Sequence, residues 1–334
     1  MKKMGITLLA SILMIGLLSG CSMFQAGSDR GGKVKLIAAT QLDSKSAFAE
    51  GFREFKKVVE KESDGTVTVE VHTNGDLGGN EDELVQNLQS GSVDLVVASP
   101  GFMAQAVKEV DFFALPYLFE SRDHWKKAVD GEVGHTVTKM VEQKTDFKIL
   151  GYWSAGVRNY YGFQPIEEPE DLKGIKIRSQ DSPTVRDAWK ALGAQPTSVA
   201  WNEMYQALQN QVVDAAENDF TNIYQASHHE TAKYISLTQH DYTTRLFFTS
   251  QQTFDALDEK QQQAFMKAAK AATEAARKAD DQLAEESKQK LKKAGVKINK
   301  VDTQPFVEKT EPVREKAVQQ LGMEALYQKV QELK

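Results

Sequence analysis

The 334-residue sequence predicts an α/β protein of two lobes tied together by one long helix, and three features of its pattern predict it. Short apolar strands alternate with amphipathic helices, the rhythm of parallel βαβ units. That rhythm halts near residues 154–156 and restarts after Gly156. An Ala-rich helical run from Asp258 to about Leu291 is then too long for either lobe alone: over 30 residues at 1.5 Å each is about 45 Å.

Residues 34–40 are the first strand candidate. After Ser46, Phe48, Phe52, Phe55, Val58 and Val59 recur at helical spacing with charges between them. Asp64-Gly65 turns the chain, and Val67, Val69 and Val71 alternate as a strand. The turn-rich stretch 74–80 leads into a helix carrying Leu84, Val85 and Leu88, which Ser90-Gly91-Ser92 stops before the apolar strand 94–98. Residues 110–119 are apolar and aromatic but interrupted by Pro116, which predicts a buried irregular segment. A helix over 124–142 and a strand over 147–153 complete the first run.

The second run predicts strands at 175–178, 195–200, 212–216 and 243–250, with helices at 184–192 and 202–208. Asp258 and Gln261 have capping-box spacing at the start of the long helix, Gly295 is its expected stop, and a last helix spans 313–333. The expected partition is 33–155 with about 246–282 in lobe 1, and 156–245 with about 283–334 in lobe 2. No internal repeat is clear enough to make the lobes duplicates.

Composition narrows the function. The net charge is −6, and losing Lys2 and Lys3 with the first twenty residues makes it −8. An acidic chain with no basic, aromatic-interleaved run argues against nucleic acid, so single arginines carry more information than the total. One cysteine excludes internal disulfides and multi-cysteine metal sites. Met1-Lys2-Lys3 and the apolar run 6–18 have the layout of an export signal, too short for a bilayer span. Leu18-Ser19-Gly20-Cys21 resembles the lipobox of bacterial lipoproteins, which implies a signal peptide at 1–20, a lipid on Cys21 and a flexible Ser/Gly tether at 21–32. The folded part is then expected outside the cytoplasmic membrane and anchored to it, in a periplasm or on the outer face.

The expected tools of an enzyme are missing. The six histidines are scattered without metal-ligand spacing, Ser154 does not sit in G-x-S-x-G, and no phosphate-cradling glycine loop occurs. No catalytic residue, metal or cofactor is expected. What remains suits an anion. Ile175 and Ile177 alternate with Lys176 and Arg178, so Arg178 ends a strand on the face opposite the isoleucines. Ligands collect at that edge of α/β sheets, and a guanidinium offers a planar fork matched to a carboxylate. Arg158 opens the second run and Asn218 ends its strand, while Trp201 follows another. Blander readings stand beside these: a surface ion pair for Arg178, a helix N-cap for Asn218, core filling for Trp201.

Several motifs in order are similar to the solute-binding proteins of TRAP (tripartite ATP-independent periplasmic) transporters: Gly156-Val157-Arg158, Asp171-Leu172-Lys173-Gly174-Ile175-Lys176-Ile177-Arg178, Leu192-Gly193-Ala194-Gln195-Pro196, Asn202-Glu203-Met204-Tyr205-Gln206-Ala207-Leu208-Gln209 and Val213-Asp214-Ala215-Ala216-Glu217-Asn218. The resemblance covers nearly all of 33–330, with Ala215 where the family usually has glycine. It implies a type II periplasmic-binding-protein-like fold and a two-pronged salt bridge from Arg178 to a ligand carboxylate. It further implies support from Arg158 and Asn218, an aromatic wall at Trp201, and Tyr242 in a segment lining the second lobe's cleft. It also implies small and large membrane permease subunits as partners. A monomeric receptor is expected.

Lobe 1 offers Gln41, Asp43 and Ser44 after the first strand, Asn80 and Glu81 at the second helix, and Ser99 after the third strand. Such acceptors welcome hydroxyls and oppose a second carboxylate, which favours a sugar acid such as a uronate over a C4-dicarboxylate. Rival readings are an ABC-type receptor, which would have no helix crossing both lobes, an extracytoplasmic enzyme on acidic sugars, and a purely structural lipoprotein.

Overall fold

A computed structural model describes residues 32–180 and 182–334. The expected signal peptide, Cys21 and almost all of the tether lie outside the described residues. In chain order the elements begin β1 (Val34–Ala39), α1 (Ala47–Glu62), β2 (Val67–His72), α2 (Glu81–Gln89), β3 (Leu95–Ala98), α3 (Pro100–Ala104), α4 (Arg122–Asp130), α5 (Glu132–Lys144) and β4 (Phe147–Gly162). They continue with β5 (Lys176–Arg178), α6 (Pro183–Ala191), β6 (Gln195–Thr197), α7 (Met204–Gln209), β7 (Ala215–Asn218), α8 (Phe220–Gln225) and β8 (Tyr234–Ser250). The chain closes with α9 (Gln251–Asp255), α10 (Glu259–Lys293), β9 (Lys297–Lys300), α11 (Gln304–Leu321) and α12 (Glu324–Glu332).

The strands form one sheet in the order β2-β1-β3-β8-β4-β7-β5-β6, with β9 also pairing β8. Its two ends are the parallel βαβ layers that the sequence predicts: β1 between β2 and β3, and β5 between β6 and β7. Lobe 1 buries Phe52, Phe55 and Val59 of α1 against Leu36, Val69 and Phe265, and a second cluster around Phe112, Phe113 and Trp125 covers the other face. Lobe 2 packs around Met204, Leu208 and Ile223 on one side, and around Ile177, Trp189 and Phe306 on the other.

α10 is the expected spine. Phe265 to Ala276 lie in a lobe 1 cluster and Leu291 in a lobe 2 cluster. Its alanines let α1 approach closely: a Cβ on Gly51 would stand 2.5 Å from the Trp153 ring and 2.9 Å from Ala276 Cβ. Asp258 accepts from the Gln261 amide while Gln261 answers the Asp258 N–H, so the capping box forms as expected.

Other expectations are corrected. The chain does not break at 154–156. β4 runs on through it, and its register against β8 slips between Ser154 and Val157, with Gly156 at φ +72°. A Cβ there would meet Asp219 Cβ at 2.5 Å, so glycine is required both by conformation and by space. β8 starts at Tyr234 rather than 243, because polar Gln239, His240 and Asp241 hide the strand where it passes between the lobes. The two lobes therefore share a long antiparallel pair, β4 with β8, which the apolar pattern alone did not reveal. The predicted helix 124–142 divides at Gly131, and the last helix begins at Gln304 and divides at Gly322, φ +68°. The strand expected over 195–200 ends at Thr197, and β9 had no sequence signal.

Candidate functional site

A cavity of about 210 Å³ lies between the lobes. Arg158, Arg178, Trp201 and Asn218 line it from lobe 2, and Gln41, Glu81 and Ser99 from lobe 1. Seven of the eight expected ligand-binding residues thus converge on one space. Tyr242 does not. It is half-buried against the lobe 1 cluster, and burial raises its phenol pKa. Its β8 position pairs with Val157, away from the cavity walls. Asp43 also faces elsewhere, accepting from the exposed Lys45 N–H at 2.7 Å.

Arg178 is positioned by its strand. Buried Ile177 locks β5 into the lobe 2 core, and Arg178 is in register with Thr197 on one side and Ala216 on the other. Its Nε donates to the Val199 carbonyl at 3.1 Å. Among the described residues no carboxylate pairs with this guanidinium. Burial pulls its pKa down; Glu217 opposes that shift and Arg158 adds to it. A half-buried cation without a counter-charge is costly, and an arriving anion relieves that cost.

Arg158 is paired instead. It is 1% exposed; its Nε bonds Glu217 Oε2, its Nη2 donates to the Glu217 carbonyl at 2.5 Å, and its Nη1 donates to Asn218 Oδ1 at 3.1 Å. Burial alone would raise the Glu217 carboxyl, but the Arg158 guanidinium overrides it and holds the group at about 2. The Asp219 N–H also donates to Asn218 Oδ1, at 3.0 Å. With its oxygen so occupied, the Asn218 amide keeps Nδ2 as its available donor. The N-cap of α8 is Asp219, whose carboxylate accepts from the Thr221 and Asn222 amides, so the capping alternative for Asn218 falls away.

Trp201 lines the cavity half-buried, its ring 5.2 Å from His228. His228 is stacked beside Tyr161, with Nδ1 2.7 Å from the phenol oxygen. Burial, and then Arg178, lower its pKa to about 3, so at neutral pH it adds no positive charge beneath the site.

On the opposite wall, Glu81 gathers the expected lobe 1 residues. Its Oε2 accepts from both the N–H and the hydroxyl of Ser99 at 2.7 Å, and its Oε1 accepts from Gln41 Nε2 at 3.2 Å. Arg245 and Gln180 also line the cavity and were not expected, nor was Glu217 singled out as the partner of Arg158. The available signal was a charge inside a buried apolar strand: Arg245 precedes Leu246-Phe247-Phe248, and Glu217 follows Ala215-Ala216. Among the described residues no cluster of His, Cys, Asp or Glu could hold a metal ion, and no helix is long and apolar enough to cross a membrane.

Two lobes sharing a strand pair, with an unpaired guanidinium facing the space between them, define a binding protein for a small anion. The chain belongs to the bacterial extracellular solute-binding protein family 7, DctP, which matches residues 38–320. It is similar in structure to the TRAP periplasmic solute-binding protein of Chromohalobacter salexigens DSM 3043 with bound D-glucuronate, at TM-score 0.85 and 28% identity, covering 90% of this chain and 100% of that one. The TRAP periplasmic solute-binding protein of Sulfitobacter sp. NAS-14.1, with bound β-D-galacturonate, gives TM-score 0.83 and 31% identity over 88% of this chain and 98% of that one. The 2,3-diketo-L-gulonate-binding periplasmic protein YiaO of Escherichia coli is 30% identical over 264 residues, 78% of each chain. The resemblance to TRAP solute-binding proteins read from the motifs is thus a family membership.

Proposed function

We propose that this receptor captures a hydroxylated monocarboxylic acid, a uronate or closely related sugar acid, and delivers it to a membrane permease. The observation that carries this reading is the Arg178 guanidinium, held at the cavity without a carboxylate partner among the described residues. The ligand carboxylate takes the place of that missing counter-charge through two parallel N–H···O bonds. Asn218 Nδ2 adds a donor, Arg158 keeps Asn218 in place, and Trp201 covers the apolar side of the ring. The Gln41–Glu81–Ser99 cluster presents acceptors to hydroxyls and repels a second carboxylate. The sugar acids bound by similar proteins support the same class.

The two lobes, divided near residues 155 and 245 and again within α10, close on the ligand by bending where β4 slips register beside Gly156. The chain end does not stay with lobe 2 as expected, because Ala317 to Val330 of α11 and α12 pack into the lobe 1 cluster. The closed monomer is what small and large permease subunits read. Cys21 carries the lipid that holds the receptor at the outer side of the cytoplasmic membrane. The ligand leaves as it came: glucuronate recovered chemically unchanged after long incubation is the expected result, and conversion would indicate an enzyme.

A thermal-shift panel of uronates, aldonates and C4-dicarboxylates on the soluble chain tests the proposal. A ligand at 100 times its Kd adds about 2.7 kcal/mol of stability. Sugar acids are expected to raise Tm and dicarboxylates to leave it nearly unchanged. Stabilisation by dicarboxylates alone would overturn the ligand class.

A further inference from the structure

We propose that Arg245 and Glu81 together form a hydroxyl clamp at the lobe 1 end of the cavity, a specificity element distinct from the Arg178 carboxylate site. The inference rests on the proposed sugar-acid function and adds to it a requirement for one particular hydroxyl. Arg245 projects from the middle of β8, is 7% exposed, and lines the cavity. Arg245 stands at the boundary of the lobes, in register with Trp153 of lobe 1. Its Nη1 donates to Gln180 Oε1 of lobe 2 at 3.1 Å, while its Nε has no acceptor among the described residues. A guanidinium this buried with donors in reserve is incompletely satisfied by the protein alone.

Glu81 is its electrostatic neighbour, but the two do not bond. Nη1 stands 3.9 Å from Glu81 Oε1, inside ion-pair range and beyond hydrogen-bond range. The Glu81 carboxylate cannot readily swing closer. Ser99 holds its Oε2 with two donors, and Gln41 holds Oε1 with one. One oxygen set beside the pair can bridge it: an atom about 2.8 Å from both partners completes the triangle.

The chemistry of that oxygen follows from the pair. It must donate to a carboxylate and accept from a guanidinium, which a hydroxyl does and a carboxylate does not. A carboxylate there would gain Arg245 and meet Glu81, so the pair, neutral as a unit, favours an alcohol over a second acid. Gln180 takes one donor of the same arginine and ties it to lobe 2, which leaves the remaining donors for the cavity.

Monodeoxy analogues of D-glucuronate, titrated into the full soluble chain by calorimetry, test this. Wild type is expected to lose about 10- to 100-fold in affinity when one specific hydroxyl is removed, the loss of a hydrogen bond to charged partners. Arg245→Met and Glu81→Gln are expected to bind glucuronate about as weakly as wild type binds that analogue, and to stop distinguishing the two. Arg245→Lys, which keeps the charge, and Glu81→Gln, which keeps the shape, carry the test if Arg245→Met does not fold. A variant that weakens every analogue equally would make Arg245 a mere inter-lobe tie and overturn the clamp, as would a wild type indifferent to every single hydroxyl. A wild type that binds no sugar acid at all would overturn the proposed function itself, and the clamp with it.

Discussion

The two walls of the cavity solve different problems with different materials. On the lobe 2 wall, Arg178 and Asn218 stand at the ends of short strands anchored in the core by Ile177, Ala215 and Ala216, and Arg158 projects from the long central strand. Their charges are settled inside the protein: Glu217 neutralises Arg158, Arg158 orients Asn218, and one guanidinium is left over. On the lobe 1 wall, Glu81 opens a helix and Ser99 follows a strand, and Glu81 faces Arg245 without bonding it, so both an acceptor and a donor are in reserve. A fixed cationic wall suits the feature all carboxylic acids share, whereas a wall that pairs a donor with an acceptor suits the hydroxyls by which they differ. This division lets ligand class and ligand identity change separately.

The largest effect is expected at Glu217. Glu217→Ala strands the buried Arg158 charge, and about 3–5 kcal/mol of folding stability is expected to go with it. Urea unfolding with a loss under about 1 kcal/mol would mean that the lobe 2 wall does not depend on this pair. Next comes Arg178. Arg178→Ala is expected to cost about 2–5 kcal/mol of binding, roughly 30- to several-thousand-fold. Arg178→Lys is expected to weaken binding strongly too, because an ammonium cannot form the fork. Wild-type affinity in the lysine variant by calorimetry would sink the bidentate role.

Behind the same wall, burial and then Asp280 raise the Asp219 carboxyl from 3.8 to about 6. The native state therefore holds this proton more tightly than the unfolded chain, and its contribution is lost as pH rises through that window. Asn caps a helix as well as Asp does. Asp219→Asn is expected to gain on wild type between pH 4 and pH 8, by up to about 3 kcal/mol at 1.36 kcal/mol per pKa unit. Denaturation curves displaced equally at both pH values would contradict this. The smallest effect is expected at Tyr242: with its ring in lobe 1 packing, Tyr242→Phe should change binding by less than about 0.5 kcal/mol. A large loss of affinity would return this residue to the cleft.

Much of this was legible because the signals were local. Alternating valines and isoleucines marked the outer strands, Phe48 to Val59 marked α1, and Ile177 beside Arg178 told which way the arginine faces. The central strands were only half legible. β4 and β8 are apolar within lobe 1 but carry Arg158, Gln239 and Asp241 where they pass the cleft, so function interrupts the pattern that marks a strand. Tyr242 shows the opposite hazard. A segment can approach the cleft while the pleat turns one particular side chain to the other face. The Glu81–Ser99–Gln41 cluster joins residues separated by up to 58 positions, and no spacing rule links them. Arg245 and Glu217 were visible only as charges out of place.

Which group meets the carboxylate is measured directly by a crystal structure of the complex with D-glucuronate. Both carboxylate oxygens are expected about 2.7–2.9 Å from two nitrogens of the Arg178 guanidinium, with the hydroxyl edge toward Glu81. A carboxylate seated on Arg245, with Arg178 still unpaired, would contradict that placement.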